Sequence, residues 1–177
     1  MYALHGMTRD AWKRYSDSGY KHYQVVAPGF KYNMMDLQAA IGLHQLAKIE
    51  ANWHKRQRIW RSYDEQLAGL GLGLPPAMAA GEKHSLHLYT VLVDQAQCGI
   101  DRDTFLERMT AQGIGMGVHY RALVEHPYYQ DRFGWQPGDT PAALRIGQQT
   151  VSLPLSPAMS DADAADVVTA VRRVLRR

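Results

Sequence analysis

The sequence predicts a mixed α/β chain, in which a long helix precedes a small layered domain. Two observations carry this prediction. Residues 36–67 have a helical pattern that no proline interrupts, and residues 69–177 alternate short apolar strands with helical segments. Strands that alternate with helices are typical of a sheet with helices packed against it. A chain of 177 residues is long enough for one such domain with part of another.

The beginning of the chain predicts the edge of something larger. It is rich in aromatic and polar side chains and has no self-sufficient apolar core. A short helix is predicted over residues 8–15, and a short extended piece over residues 23–26. The dipeptide Pro28-Gly29 then predicts a turn. Residues 1–35 therefore have the character of a rim rather than of a self-contained domain.

The helical pattern over residues 36–68 changes character along its length. Asp36 lies in its first turn, where a carboxylate complements the helix dipole. Apolar residues first point to every side, as in a buried helix, and then narrow to one stripe. That stripe is Leu46, Ile49, Trp53, Trp60, Tyr63 and Leu67. We expect one helix that begins buried, ends half-exposed and connects two bodies, although the spacing also fits a core helix of any α/β protein.

The segment 69–177 supplies the elements of the layered domain. After a connection rich in Gly, Pro and Ala, the first strand is apolar on both faces, as in a central strand. Asp101 is a candidate N-cap, and Ser160 with Asp163 has the capping-box pattern. The predicted elements are strands at residues 86–93, 114–120 and 151–155, and helices from Asp101 to Gly113, over residues 141–149 and from Ser160 to the end.

Composition excludes several classes of protein. The single cysteine, Cys98, excludes an internal disulfide and fits a reducing compartment. No apolar run is long enough to span a membrane, and the beginning lacks a signal-peptide layout. The net charge of +3 is mild, and the arginines at the end suit a helix terminus better than a nucleic-acid patch. We expect a cytoplasmic protein that binds neither membrane nor nucleic acid.

Residue types alone indicate one candidate binding residue. The chain has no glycine-rich phosphate loop and no nucleophile elbow. His84 and His87 would lie on opposite faces of a strand, and no other ligands cluster with them, so no metal site is predicted. His119 follows three alternate glycines at the end of a predicted strand, where backbone can approach a ligand closely. It is either a ligand-binding residue or a surface histidine at a strand end.

Several blocks of the sequence together resemble one family. In chain order they are GFKYNMMDLQAAIGLHQL, HLYTVLV, QGIGMGVHYRALVEHPYY, RFGWQPGD and VSLPLSPAMSDAD. They resemble the C-terminal half of the DegT/DnrJ/EryC1/StrS group of pyridoxal-phosphate-dependent sugar aminotransferases. The blocks HGMTRDAWKRY and GVHYRALVEHPYY are most similar to the branch that aminates UDP-4-keto sugars. The resemblance implies the C-terminal part of an aspartate-aminotransferase-like fold and a homodimer that shares its active sites. It makes residues 1–35 the remnant of the large cofactor domain with the dimer-crossing turn, residues 36–68 the interdomain helix and residues 69–177 the small α/β domain.

The resemblance also implies that this chain lacks most of the cofactor domain. In the family, the lysine that anchors pyridoxal phosphate lies in an SFxxxK-like motif, and it serves as covalent anchor and proton-transfer base. The lysines here are Lys13, Lys21, Lys31, Lys48, Lys55 and Lys83, and none has that context. We therefore expect a chain that begins shortly after that lysine, is inactive alone and binds no cofactor stably. The alternative is a non-catalytic dimerisation or partner-binding module derived from the small domain.

The resemblance assigns four site residues. In the family, the turn that corresponds to residues 29–36 crosses the dimer and binds the cofactor phosphate of the partner subunit. This chain has Lys31 and Asn33 where many members have asparagine and arginine, and both residue types suit a phosphate. His119 matches the histidine of the G-x-H-[YF] block at the substrate end of the pocket, where Tyr120 helps to shape it. The implied reaction moves an amino group from glutamate to a keto carbon of a nucleotide-linked sugar.

Overall fold

The computed structural model describes residues 2–8 and 22–175, and this part of the chain has a mixed α/β architecture. Its elements in chain order are α1 (Asp36–Leu46), α2 (Ile49–Leu67), β1 (Tyr89–Leu92), α3 (Gln95–Cys98), α4 (Arg102–Ala111), α5 (Pro127–Phe133), α6 (Pro141–Gln149), β2 (Thr150–Leu153) and α7 (Asp161–Leu175). Two 3₁₀ turns lie at Leu123–Glu125 and Pro137–Asp139. The short helix predicted over residues 8–15 falls outside the described residues from position 9 onward.

The chain divides into two compact units, Met1–Ile49 and Glu50–Arg177. The predicted division at residues 35 and 68 follows the architecture implied by the resemblance, and it stays a prediction. None of the helices within residues 2–8 and 22–175 is both long and apolar enough to cross a membrane.

In the first unit, residues 2–8 run antiparallel to residues 24–32. The backbone amide of His5 donates to the carbonyl oxygen of Phe30 at 2.9 Å, and similar bonds continue on both sides. Gly6 marks the closest approach, because a Cβ there would lie 1.8 Å from a backbone carbonyl oxygen, and its φ of +72° suits glycine. This pairing fixes the backbone of the segment that leads into α1.

The helix predicted over residues 36–68 differs from the structure in two respects. It is interrupted, because α1 ends at Leu46 and the amide of Lys48 donates to the carbonyl of Gln45 at 3.1 Å in a tighter turn. Its beginning is not buried, since α1 has no buried residue and the Leu37 and Leu43 side chains are 69% and 70% exposed. Apolar residues on every side predict burial only where a covering surface exists, and no described part of the chain covers α1.

The hydrophobic core lies in the second unit. α2 contributes the later part of the predicted stripe, with Trp60, Tyr63 and Leu67 all buried, and Ile59, which was not predicted, is buried beside them. The fully buried Tyr63 hydroxyl donates to the carbonyl oxygen of Pro154 at 2.8 Å, which ties α2 to the end of β2. Apolar side chains of β1, β2, α4 and α7 complete the core.

The sheet of the second unit is narrow. β1 and β2 pair antiparallel over four residues each, from Tyr89 opposite Leu153 to Leu92 opposite Thr150. Single-residue bridges extend the sheet on both sides, Gly73 to Leu92 and Gly117 to Ser152. The strand predicted at residues 114–120 is therefore wrong except at Gly117. Its alternate glycines offer few side chains to pack on a sheet, so pairing does not extend beyond one residue.

The helix starts predicted from capping residues are confirmed. The Asp101 carboxylate accepts a hydrogen bond from the Thr104 amide at 2.7 Å, and this bond lowers the pKa of Asp101. Ser160 and Asp163 form the predicted reciprocal box. The Ser160 hydroxyl accepts from the Asp163 amide at 3.1 Å, and the Asp163 carboxylate accepts from the Ser160 amide at 2.8 Å. The latter bond lowers the pKa of Asp163.

Candidate functional site

His119 lies on the segment that follows the bridge between Gly117 and β2. Gly117 and Ser152 exchange two backbone hydrogen bonds, 3.2 Å from the Gly117 amide and 2.8 Å from the Ser152 amide. The Nδ1 atom of His119 lies 2.9 Å from Oγ of Ser152, a residue only 5% exposed. No described residue is hydrogen-bonded to the other ring nitrogen, Nε2. The ring is thus held on one side and available to a ligand on the other.

The absence of a side chain at Gly117 makes room for the His119 ring. A Cβ at Gly117 would lie 2.5 Å from Cε1 of His119 and 3.2 Å from its Nδ1 atom. Real Cβ atoms essentially never approach this closely, so any larger residue would displace the ring. The alternate glycines indicated a close approach by a ligand, whereas this glycine accommodates the chain's own histidine.

Tyr120 is the most exposed aromatic residue of this region, at 75%. Its ring meets the His119 ring edge-on, with centroids 4.8 Å apart and planes at 84°. The peptide bond that joins the two residues is cis. Because Tyr120 is exposed, it can present its hydroxyl or ring face to a ligand without first leaving a buried position.

The other two predicted site residues, Lys31 and Asn33, belong to the first unit. Lys31 forms an antiparallel bridge with Leu4, which fixes its backbone. The rings of Phe30 and Tyr32 stack at 5.2 Å with 15° between planes, so these residues share one side of the segment. Alternation in an extended chain then directs Lys31 to the opposite side and predicts Asn33 beside it. Both side chains are exposed.

The beginning of α1 has a cap that was not predicted from the sequence. Met35 occupies the N-cap position with extended backbone, and its amide donates to Oε1 of Gln38 at 3.0 Å. A Gln three residues after the N-cap is the sequence signal of this hydrogen bond, in which the N3 side chain accepts from the N-cap amide. Asp36 adds a negative charge in the first turn. Gln38 thus stabilises the helix start next to the phosphate-binding candidates.

The donor set of this turn fits a phosphate group. Lys31 offers a full positive charge with three donors, and Asn33 offers a neutral amide donor. The first turn of α1 adds backbone N–H groups at the positive end of the helix dipole. The Asp36 carboxylate opposes an anion at this place, so the charge of Lys31 is needed to offset it. No group of three or more His, Cys, Asp or Glu among the described residues could hold a metal ion.

Solved aminotransferase structures share the fold of this chain. The PLP-form of Spr1654 from Streptococcus pneumoniae, provisionally assigned as a sugar aminotransferase, matches with a TM-score of 0.78 and 26% identity. That match covers 98% of this chain and 41% of Spr1654. TlmJ, an aminotransferase from Streptoalloteichus hindustanus, matches with a TM-score of 0.72 and 28% identity over 98% of this chain and 43% of TlmJ. The chain therefore has the fold of part of a pyridoxal-phosphate-dependent sugar aminotransferase, and the predicted fold class is confirmed.

Sequence comparison agrees with the fold. The DegT/DnrJ/EryC1/StrS aminotransferase family matches residues 1–172, and this chain belongs to that family. SpsC, a spore coat polysaccharide biosynthesis protein of Bacillus subtilis, is 40% identical over 178 aligned residues, which are 98% of this chain and 45% of SpsC. The predicted family is confirmed, and the chain spans less than half the length of the relatives that it matches.

Proposed function

We propose that this chain is the C-terminal part of an enzyme that transfers an amino group from glutamate to a keto group of a nucleotide-linked sugar. The observation that carries the proposal is the family match over residues 1–172. Sugar aminotransferases recur among the structural neighbours, and a curated relative is named for polysaccharide biosynthesis. The UDP-4-keto-sugar branch is the finer proposal, and it depends on the blocks HGMTRDAWKRY and GVHYRALVEHPYY.

Lys31 and Asn33 are proposed to hold the phosphate of the cofactor in the complete enzyme. The bound cofactor, pyridoxal phosphate, supplies the carrier chemistry that stores the amino group between donor and acceptor. Lys31 would neutralise phosphate charge, while Asn33 would donate a directional hydrogen bond. In the proposed homodimer this turn serves the active site of the partner subunit.

His119 and Tyr120 are proposed to bind the sugar. Nε2 of His119 has no hydrogen-bond partner among the described residues, and Tyr120 is exposed beside it. An imidazole and a phenol can both donate to, or accept from, the hydroxyl and keto oxygens of a sugar. Their part in the reaction is therefore to orient the sugar.

The chain alone is proposed to be inactive and to retain no cofactor. None of its lysines lies in the SFxxxK-like context of the family's anchoring lysine. The Lys83 ammonium group already has partners, since its Nζ lies 2.6 Å from the Glu50 carboxylate and 4.9 Å from the Trp53 ring centroid. We place the complete enzyme in the cytoplasm, on the composition, and assign it no nucleic-acid or membrane partner.

A non-catalytic module for dimerisation or partner binding is the second candidate function. The observation that favours it is the apolar surface of α1, where Leu37, Ile41, Leu43 and Leu46 are each more than half exposed. Such a surface is typical of an interaction site. The same surface is equally needed in an enzyme, where the remaining part of the fold or a partner subunit would cover it.

A comparison of the chain alone with a completed enzyme tests the two candidates. The completed enzyme joins this chain to the N-terminal part of a relative such as SpsC, and glutamate-dependent amination of UDP-4-keto sugars is measured. We expect turnover by the joined protein and none by the chain alone. Borohydride reduction of the chain with pyridoxal phosphate should leave no stoichiometric adduct on a lysine. Turnover by the chain alone, or a folded but inactive joined protein, would contradict the proposal.

A further inference from the structure

The contact between His119 and Ser152 bears on which nitrogen of the histidine ring carries its proton. A serine hydroxyl has one proton to donate and can also accept, whereas a neutral imidazole has one donor and one acceptor nitrogen. The 2.9 Å contact therefore has two arrangements: Ser152 donates to Nδ1, or Nδ1–H donates to Ser152. The two leave opposite roles for Nε2, the nitrogen that has no hydrogen-bond partner among the described residues.

Burial of Ser152 favours the arrangement in which the hydroxyl donates. The residue is 5% exposed, and the contact with His119 is the one hydrogen bond of its Oγ atom to any described residue. If Nδ1 carried the proton, the buried hydroxyl proton would have no acceptor, and a buried donor without a partner is costly. An oxygen that keeps a spare lone pair is tolerated more readily. Nδ1 is then the acceptor, and Nε2 carries the proton.

Gly117 supports the position of the His119 ring against Ser152, in which either arrangement of the proton would fit. Its amide and carbonyl are bonded to Ser152, so the two residues are held in register on adjacent strand segments. Because a Cβ at Gly117 would lie 2.5 Å from Cε1 of His119, the ring can reach Ser152 only over a glycine. Two independent features, a hydroxyl and a missing side chain, therefore converge on one ring position.

We propose that Ser152 and Gly117 are positioning residues that hold His119 as its Nε2–H tautomer, so that His119 donates a hydrogen bond to an oxygen of the sugar. The identity of the acceptor rests on the proposed function, whereas the tautomer does not. A donor at this place would favour a substrate with a keto or hydroxyl oxygen at the contacted carbon. It would discriminate against an amino group that is protonated, because two donors would then face each other.

Nuclear magnetic resonance of the intact chain tests the tautomer directly. The chain is labelled with ¹⁵N-histidine and studied in mildly alkaline buffer, where histidine rings are neutral. We expect the His119 signals of an unprotonated Nδ1 and a protonated Nε2. Ser152→Ala and Gly117→Ala should both give a mixture of tautomers, and Ser152→Thr, which keeps the hydroxyl, should restore the single form.

Gly115→Ala is the matched control, because a Cβ at Gly115 meets no atom within 4 Å. It should leave the His119 signals unchanged, and circular dichroism should show that all variants are folded. An Nδ1–H tautomer in the unmodified chain would overturn the proposal. So would a Ser152→Ala variant, or a folded Gly117→Ala variant, that keeps a single Nε2–H form.

Activity in a joined, complete enzyme separates this inference from the proposed function. Ser152→Ala is expected to lower kcat/KM for the keto sugar by about threefold to tenfold, the usual worth of one neutral hydrogen bond. The half-reaction with glutamate should be unaffected, since it involves no sugar. If the tautomer is as proposed but no keto sugar is aminated, the function fails and the positioning role stands. If keto sugars are aminated and Ser152→Ala leaves kcat/KM unchanged, the assigned sugar contact fails alone.

Discussion

Two buried tyrosines hold their phenol protons more tightly than a tyrosine in water. The Tyr63 hydroxyl donates to the carbonyl of Pro154 at 2.8 Å, and the Tyr89 hydroxyl donates to the Asp64 carboxylate at 2.7 Å. Burial raises the pKa of both phenols, and the bond to Asp64 raises the pKa of Tyr89 further. Both residues lie in the core that joins α2 to the sheet, so their ionisation is coupled to folding.

At alkaline pH the chain should lose stability through these phenols. A raised pKa in the folded state contributes stability that is complete below the ordinary tyrosine pKa of about 10 and is lost as pH rises above it. We expect the free energy of unfolding, measured with urea, to fall above about pH 10, and Tyr63→Phe to reduce that fall. At neutral pH the same variant should cost about 1 kcal/mol, because the Pro154 carbonyl loses its donor.

Tyr128→Phe is the control for this measurement, because that side chain is 65% exposed. It should leave the free energy of unfolding unchanged at neutral pH, and it should not change how that free energy falls at alkaline pH. If the free energy of unfolding fell equally at alkaline pH in Tyr63→Phe and in the unmodified chain, groups other than Tyr63 would be the cause.

At the residue scale, the sequence predicted His119 but not its partner. The glycines before His119 indicated a close approach, and the structure shows that Gly117 makes room for the ring. Ser152 was not predicted, because it lies 33 residues further along the chain and only strand pairing brings it to His119. Gln38, in contrast, is three residues from Met35, and its hydrogen bond with the Met35 amide could have been predicted from that spacing.

At the scale of elements, α1 and α2 both carry leucine side chains but place them in opposite environments. Leu67 at the end of α2 is fully buried, whereas Leu43 in α1 is 70% exposed. Truncation of a buried leucine removes packing and leaves a cavity, while truncation of an exposed one removes neither. The two residues therefore form a natural pair for comparison.

Leu67→Ala is expected to lower the free energy of unfolding by about 2–5 kcal/mol. Leu43→Ala should change it by no more than about 0.5 kcal/mol in the isolated chain. Urea unfolding followed by circular dichroism measures both. A large loss from Leu43→Ala would mean that α1 is covered in solution, and the concentration dependence of that loss would show whether a second copy covers it.

The sequence predicted local features, such as helix starts, better than it predicted pairing between distant segments. Asp101 and Ser160 were predicted as caps because the hydrogen bonds of a cap span only three residues. The extent of pairing at Gly117 and the exposure of α1 depend on surfaces far along the chain or outside it. Periodicity shows which side chains are apolar, but it does not show whether a surface exists to cover them.

At the scale of the whole molecule, the two units differ in how they are stabilised. Backbone hydrogen bonds between residues 2–8 and 24–32 connect the first unit, and most of its described residues are exposed. The second unit has a continuous core that extends from Ile59 to Val174. Segments with little buried apolar contact open at low free-energy cost, so the first unit should open without unfolding of the second.

Limited proteolysis should therefore cut first within residues 22–49 and leave a resistant fragment that begins near residue 50. Mass spectrometry of the early products identifies the cut sites. In Leu67→Ala the resistant fragment should also become sensitive, because its core is weakened. Uniform resistance of the whole chain under conditions where it is monomeric would contradict this prediction.

The narrow sheet has a consequence for aggregation. Each edge of β1–β2 is occupied by one glycine, with Gly73 exchanging bonds of 2.9 and 2.8 Å with Leu92, and Gly117 bonded to Ser152 on the other side. Unoccupied strand edges are templates on which other chains add strands and form fibres. A Cβ at Gly73 would lie 3.1 Å from the Cβ of Leu92, which leaves little room for a side chain at this edge. Each bridge thus occupies one position of a strand edge, at Leu92 on one side and at Ser152 on the other, where another chain would otherwise pair.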